Sequence, residues 1–202
     1  MTALVFAGSN SIWALEQPVF GASGPELLTF YGDLSTRIVI GGTLALLSVA
    51  TFVVFASALR GILVELEGDE ILANVAFGGT LLGVAAGTGA ETVNMAAALR
   101  AGDGELTVPL AQALFDTSYV LGFNAAGIGI GLLALATSVV ALRSGTLIPR
   151  WLAVVGILLG MTLLTPISVY TLPPAFIFLL ALGLSLLRGS GMQVPDARTS
   201  SS

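Results

Sequence analysis

The chain has 202 residues, of which 55% are hydrophobic and only 9% charged, against about 25% charged in an ordinary soluble domain. Its mean hydropathy is +0.98, and it contains no Cys, His or Lys, so all seven positive charges are Arg. That excludes disulfides, thiol nucleophiles, Schiff-base lysines, histidine proton shuttles and His/Cys zinc sites. The net charge of −5 argues against nucleic acid as a partner, because phosphates need a basic surface.

In chain order, MTALVFAGSNSIWALEQ is apolar with a polar SNS interruption, and it lacks the basic start and continuous apolar core of a signal peptide. It predicts a short apolar helix over residues 1–17, either partly inserted or the outer end of a truncated sixth crossing. Residues 18–37 then read as an extracytoplasmic segment. Ser23 and Glu26 have capping-box spacing and Pro25 suits a first turn, so a short helix over 24–34 is expected. Leu27, Leu28, Phe30 and Tyr31 would give it an apolar side at the membrane surface.

Residues 38–188 read as a transmembrane bundle. A spanning helix needs about 20 apolar residues to cross a hydrocarbon core of about 30 Å, and the stretches 38–59, 71–99 and 109–142 each supply them. Between the first two lies the acidic turn LEGDE, residues 66–70, read as a solvated loop. The basic loop RSGTLIPR, residues 143–150, follows the third. The remaining apolar block, Trp151 to Leu187, is too long for one crossing. Pro166, Pro173 and Pro174 predict a turn over residues 165–174, which divides the block into helices over 149–164 and 173–188. Residues 189–202 are expected to form a polar, disordered tail.

The arginines test this division. Five crossings place Arg60, Arg143, Arg150, Arg188 and Arg198 on the cytoplasmic side and only Arg37 and Arg100 outside, whereas four crossings give three against four. The positive-inside tendency therefore predicts five crossings in the cell membrane with a cytoplasmic C-terminus. The fold expected is an all-α, polytopic bundle of five crossings plus the short N-terminal helix.

FYGDLSTRI before the first long helix, ALR at its end, and VVALRSGTLIPRWLAVVGILLG late in the chain resemble a family of uncharacterised multi-pass membrane proteins common in actinobacteria. The similarity covers most of residues 25–188. The resemblance implies the same kind of bundle with an additional helix ahead of the FY segment, and it implies no reaction and no binding residues.

On the second long helix Gly79, Gly83 and Gly87 recur at four-residue spacing, and the row continues to Glu91, with Asn94 three residues later. The third offers Asn124, Gly127, Gly131, Ala134 and Ser138 at three- and four-residue steps. Two such small-residue faces on consecutive antiparallel helices are expected to pack together. That would gather Glu91, Asn94, Asp116, Ser118, Tyr119 and Asn124 at the outer ends, a set suited to a polar solute or an ion. Counted from Ile71, Glu91 lies about 30 Å along its helix, at the outer edge of the hydrocarbon. One reading ends the lipid-embedded stretch there, where a charge escapes the cost of mid-membrane burial. The other is a vestibule in which Glu91 and Asp116 share a proton or a cation.

Asn74 is expected to hydrogen-bond across helices, and Trp151, Tyr170 and Trp13 to anchor at interfaces. No catalytic residue, metal cluster or cofactor motif emerges from the sequence. The functional classes left are a small transport or permeation unit and a membrane scaffold, sensor or accessory subunit. A membrane enzyme is the weaker reading, since no nucleophile–base pair is visible. Besides the lipid bilayer, the glycine faces allow a second copy or a membrane protein as partner.

Overall fold

The computed structural model describes residues 16–68, 70–165 and 168–190. The expectations for residues 1–15, Pro166 and 191–202 lie outside the described residues. Helix α1 runs unbroken from Gly24 to Glu67, 44 residues, or about 66 Å at a rise of about 1.5 Å per residue. Ser23 caps it by accepting the Glu26 N–H at 3.4 Å, Pro25 sits in its first turn, and Gly68 ends it in the left-handed region at φ 84. The expected short surface helix and first crossing are thus one element. Leu27, Tyr31, Leu34, Ile38, Gly42 and Ala45 are all buried at three- and four-residue steps, so the apolar face passes through Arg37 without interruption.

Helix α2 spans Ile71–Gly102. Its start is tied to α1 by the acidic turn: the Glu67 carboxylate accepts the N–H groups of Leu72 and Ala73, each at 2.9 Å. That satisfies two of the donors a helix N-terminus leaves unpaired. Arg60 donates to Asn74 at 2.9 Å and to Glu70 at 3.1 Å. The turn is therefore a latch as well as a solvated loop.

Helix α3, Val108–Ser144, contains a π turn over Val120–Ala125 and ends at Gly145, φ 70. Helix α4 spans Arg150–Leu163 and α5 spans Ser168–Ser190. The final helix starts five residues before the expected 173, with Pro173 and Pro174 inside it. The two N–H groups these prolines lack would have bonded to the carbonyls of residues 169 and 170, so the helix continues through them with two fewer bonds near its start.

Among the described residues every regular element is helical. Four helices, α1, α2, α3 and α5, are long and apolar enough to cross a membrane, which fits a membrane protein. Helix α4, with 14 residues, reaches only about 21 Å, so the expected count of five crossings rests on a helix shorter than the hydrocarbon core.

Helix α3 forms the centre of the bundle, and its buried residues from Ala126 to Ala141 are mostly Ala, Gly, Ser and Thr. Its closest approach to another backbone is at Gly129, where a Cβ would strike the backbone of Gly83 and lie 2.5 Å from the Gly79 carbonyl oxygen. Gly131 and Gly160 make a second close approach, between α3 and α4. The small-residue seam thus runs through Gly79, Gly83 and Gly129. Gly127 is buried, but Gly87 has open space where a side chain would go.

Two apolar cores result. One surrounds Leu133, Val140, Leu163 and Phe178 in the bundle; the other packs Leu27, Phe30, Tyr31 and Leu34 of α1 against Ala97 and Ala98 of α2 and Ala111 and Phe115 of α3. Their exteriors differ. Along α1 the exposed residues include Glu26, Thr29, Asp33, Thr36 and Arg37 as far as the second core reaches, and then mainly apolar ones, Ile40, Leu44, Leu47 and Val54, with Thr43, Thr51 and Ser57 whose hydroxyls bond back to helix carbonyls. The second core is a water-facing cap on a bundle whose surface suits lipid.

Candidate functional site

Besides the hydroxyls of Ser48, Thr80, Thr137 and Ser138 in the bundle, the buried polar side chains, Glu91, Asn94 and Ser118, lie where the cap passes into the bundle. On α2 the buried residues Ala90, Glu91, Asn94, Ala97 and Ala98 share one face. The Tyr31 hydroxyl, fully buried on α1, donates to Asn94 Oδ1 at 2.9 Å. The Ser118 hydroxyl of α3 lies beside the same phenol and donates to the Phe115 carbonyl at 2.8 Å. A buried side-chain hydrogen bond thus ties α1 to α2, with the Ser118 hydroxyl of α3 next to it. Removing one partner of such a tie costs about 1–3 kcal/mol, because the other is left without water or a substitute. The tie fixes the helices in register.

Glu91 lies one turn of α2 further into the bundle and is a different case. It is 8% exposed and is the only buried carboxylate among the described residues. Its Oε2 has no hydrogen-bond partner. It rests against α1 at Gly42, where an added Cβ would come within 3.4 Å of Glu91 Oε2 and 2.7 Å of Met95. The lack of a side chain at Gly42 therefore makes the room that Glu91 and Met95 occupy. The hydroxyls of Thr137 and Ser138 also lack partners, but a hydroxyl in a helix can turn to a carbonyl one turn back. A carboxylate needs donors, and the helical N–H groups around it are already used.

The neighbouring residues face the π turn of α3. A Cβ on Gly122 would lie 3.3 Å from that of Ala90, and one on Gly89 would lie 3.4 Å from Leu121. A π turn inserts one residue and re-aims the side chains that follow. Here it carries Phe123, whose ring centroid is 4.5 Å from that of Tyr119. Tyr119 lies 5.9 Å from Phe115 and 5.2 Å from Phe20, so an aromatic row closes the α3 side of the passage.

Of the residues singled out in the sequence, Glu91 and Asn94 share a buried face, Tyr119 is half-buried in the aromatic row, and Asp116 and Asn124 are exposed. Asp116 follows the buried Phe115 by about 100° around α3, which turns it to the cap surface while Glu91 faces α1. The sequence reading missed Tyr31 as an interior residue and missed Gly42 altogether. The signal for Tyr31 is its place in the unbroken Leu27, Tyr31, Leu34, Ile38 row. The signal for Gly42 is a Gly-Gly pair inside a spanning helix, where each Gly costs helix stability and so marks close packing.

No family model matches the chain, and no curated protein or solved structure matches it. The resemblance to the actinobacterial membrane proteins stands on the quoted segments alone.

Proposed function

We propose that this integral membrane protein is a small transport unit in which the Glu91 carboxyl takes up and releases a proton. The observation that carries this reading is an acidic side chain enclosed between α1 and α2 where the water-facing cap passes into the lipid-facing bundle, with one oxygen lacking a donor. An ionisable group in such a place marks a functional site unless a partner explains it. A proton suits it better than a metal cation, which requires several converging oxygens; Gly42 and Met95, which pack beside Glu91, offer no side-chain oxygen, and no group of three acidic side chains converges among the described residues. In this reading the cap faces outward and the Arg60, Arg143 and Arg150 end faces the cytoplasm, in line with the positive-inside tendency.

The test is proton flux in liposomes containing the purified protein, compared with empty vesicles. Flux above background that disappears in Glu91→Gln and persists in Asp116→Asn is expected. Equal flux in the Glu91→Gln protein would end the proposal.

A second reading, a scaffold, sensor or accessory subunit, is favoured by the cap, which has its own core and a polar exterior. It predicts silent liposomes and a membrane partner that stays bound through purification and is lost on exchanging Asp33 and Asp116 for Lys.

A further inference from the structure

Among the described residues, Arg37, Arg60 and Arg100 each pair with a carboxylate, Glu16, Glu70 and Glu105. Arg143 and Arg150 are exposed, and no described carboxylate lies within ion-pair distance of either. Glu67 lines a depression of about 110 Å³ with Arg143, Leu66, Val140 and Ser144, but its carboxylate caps α2 at the N–H groups of Leu72 and Ala73 and makes no ion pair with Arg143.

The packing of α3 on α4 sets where the two arginines lie. Gly131 lies against Gly160, and Ser138 against Gly156, so the two helices run antiparallel in close contact. The short connection between them, residues 145–149, leaves Arg143 near the end of α3 and Arg150 at the start of α4, at the same end of the bundle. Two cations at one end repel unless an anion lies between them. Trp151 follows immediately, 66% exposed, and below it α4 exposes Val154, Val155, Leu158 and Met161. An indole of this kind sits at the headgroup level of a bilayer, with apolar residues continuing among the acyl chains.

We propose that the α3–α4 hairpin binds the headgroup phosphate of an anionic phospholipid between Arg143 and Arg150, with Trp151 against the start of its acyl chains. Guanidinium groups match phosphate oxygens in geometry as well as charge, and basic pockets between spanning helices are a recurrent lipid site. The adjoining apolar face of α4 selects a lipid over free phosphate. The proposal rests on membrane residence of the bundle and not on transport at Glu91.

The chain has two tryptophans, so Trp13→Phe leaves Trp151 as the sole reporter. In liposomes, quenching of its fluorescence by brominated phosphatidylglycerol should exceed quenching by the brominated phosphatidylcholine at equal mole fraction, with a relative lipid preference of about fivefold or more. The preference should vanish in Arg143→Gln/Arg150→Gln and survive in Arg100→Gln and in Glu91→Gln. Equal quenching by the two lipids in the Trp13→Phe protein would overturn the proposal without recourse to an arginine variant. Loss of the preference on adding inorganic phosphate would overturn it in favour of a free-phosphate site.

Discussion

Around Phe115 the outer faces of α1 and α3 carry Asp33, Thr36, Gln112 and Asp116, whereas around Gly129 the outer face of α1 carries Leu44, Leu47 and Val54. The same helices thus build a cap and a bundle whose cohesion has different sources. In the cap, burial removes apolar surface from water, worth about 25 cal/mol per Å², and its core is made of large side chains: Leu27, Phe30, Tyr31 and Phe115. In the bundle the competing solvent is lipid, as apolar as Leu itself, so burial alone gains little and close approach of backbones matters most. Its central helix accordingly buries Gly127, Gly129, Gly131, Ala134, Thr137 and Ser138. Glu91 and Gly42 stand where the two regimes meet.

The largest effect expected is in the cap. Phe115→Ala should lower stability by about 3–5 kcal/mol through lost transfer energy and the cavity left behind, as read from denaturant titration of the detergent-solubilised protein. Truncating Leu47, on the lipid side, should change it little.

Next comes the bundle, where adding rather than removing atoms does the damage. Gly129→Val forces the backbones of α2 and α3 apart and should cost about 1–3 kcal/mol or more, while Gly87→Ala, with open space at its Cβ, should be neutral or slightly stabilising. Equal sensitivity at the two glycines would remove the seam from the account.

At the boundary, Tyr31→Phe leaves Asn94 Oδ1 without its donor and should cost about 1–3 kcal/mol, and Asn94→Leu in the same background should recover part of that loss. At the far end, Glu67→Gln weakens the cap of α2 and should cost about 0.5–2 kcal/mol, visible as faster amide exchange in Leu72 and Ala73.

Much of this was legible in the sequence, and the failures have identifiable causes. The membrane class followed from composition, and the long helices from runs of apolar residues with arginines at their ends. The short surface helix separated from the first crossing was an error of reference: Asp33 and Arg37 look like a break when a helix is judged by its whole circumference. They lie on the exposed side of a face that never breaks. Pro173 and Pro174 suggested a turn because proline opposes helix interiors, but they sit near enough to a helix start to be carried. Glycine spacing showed that α2 and α3 would touch, yet not which glycines would do so. Gly129 rather than Gly127 approaches the backbone of Gly83, because the face of α3 that meets α2 is set by the packing of whole helices and not by local spacing. Asn94 and Glu91 could be placed on one face, but their partners came from α1, and contact between distant segments is not written in local periodicity.

The division into a water-facing cap and a lipid-facing bundle can be tested directly, because the chain has no native cysteine. Single-cysteine variants at Thr36 and Thr117 in the cap and at Leu47 and Val54 in the bundle should be assembled into nanodiscs, where both membrane faces are open to a water-soluble maleimide. The cap positions should label readily, and the bundle positions only after detergent is added. Labelling of Leu47→Cys and Val54→Cys at the rate of Thr117→Cys in intact nanodiscs would contradict the account.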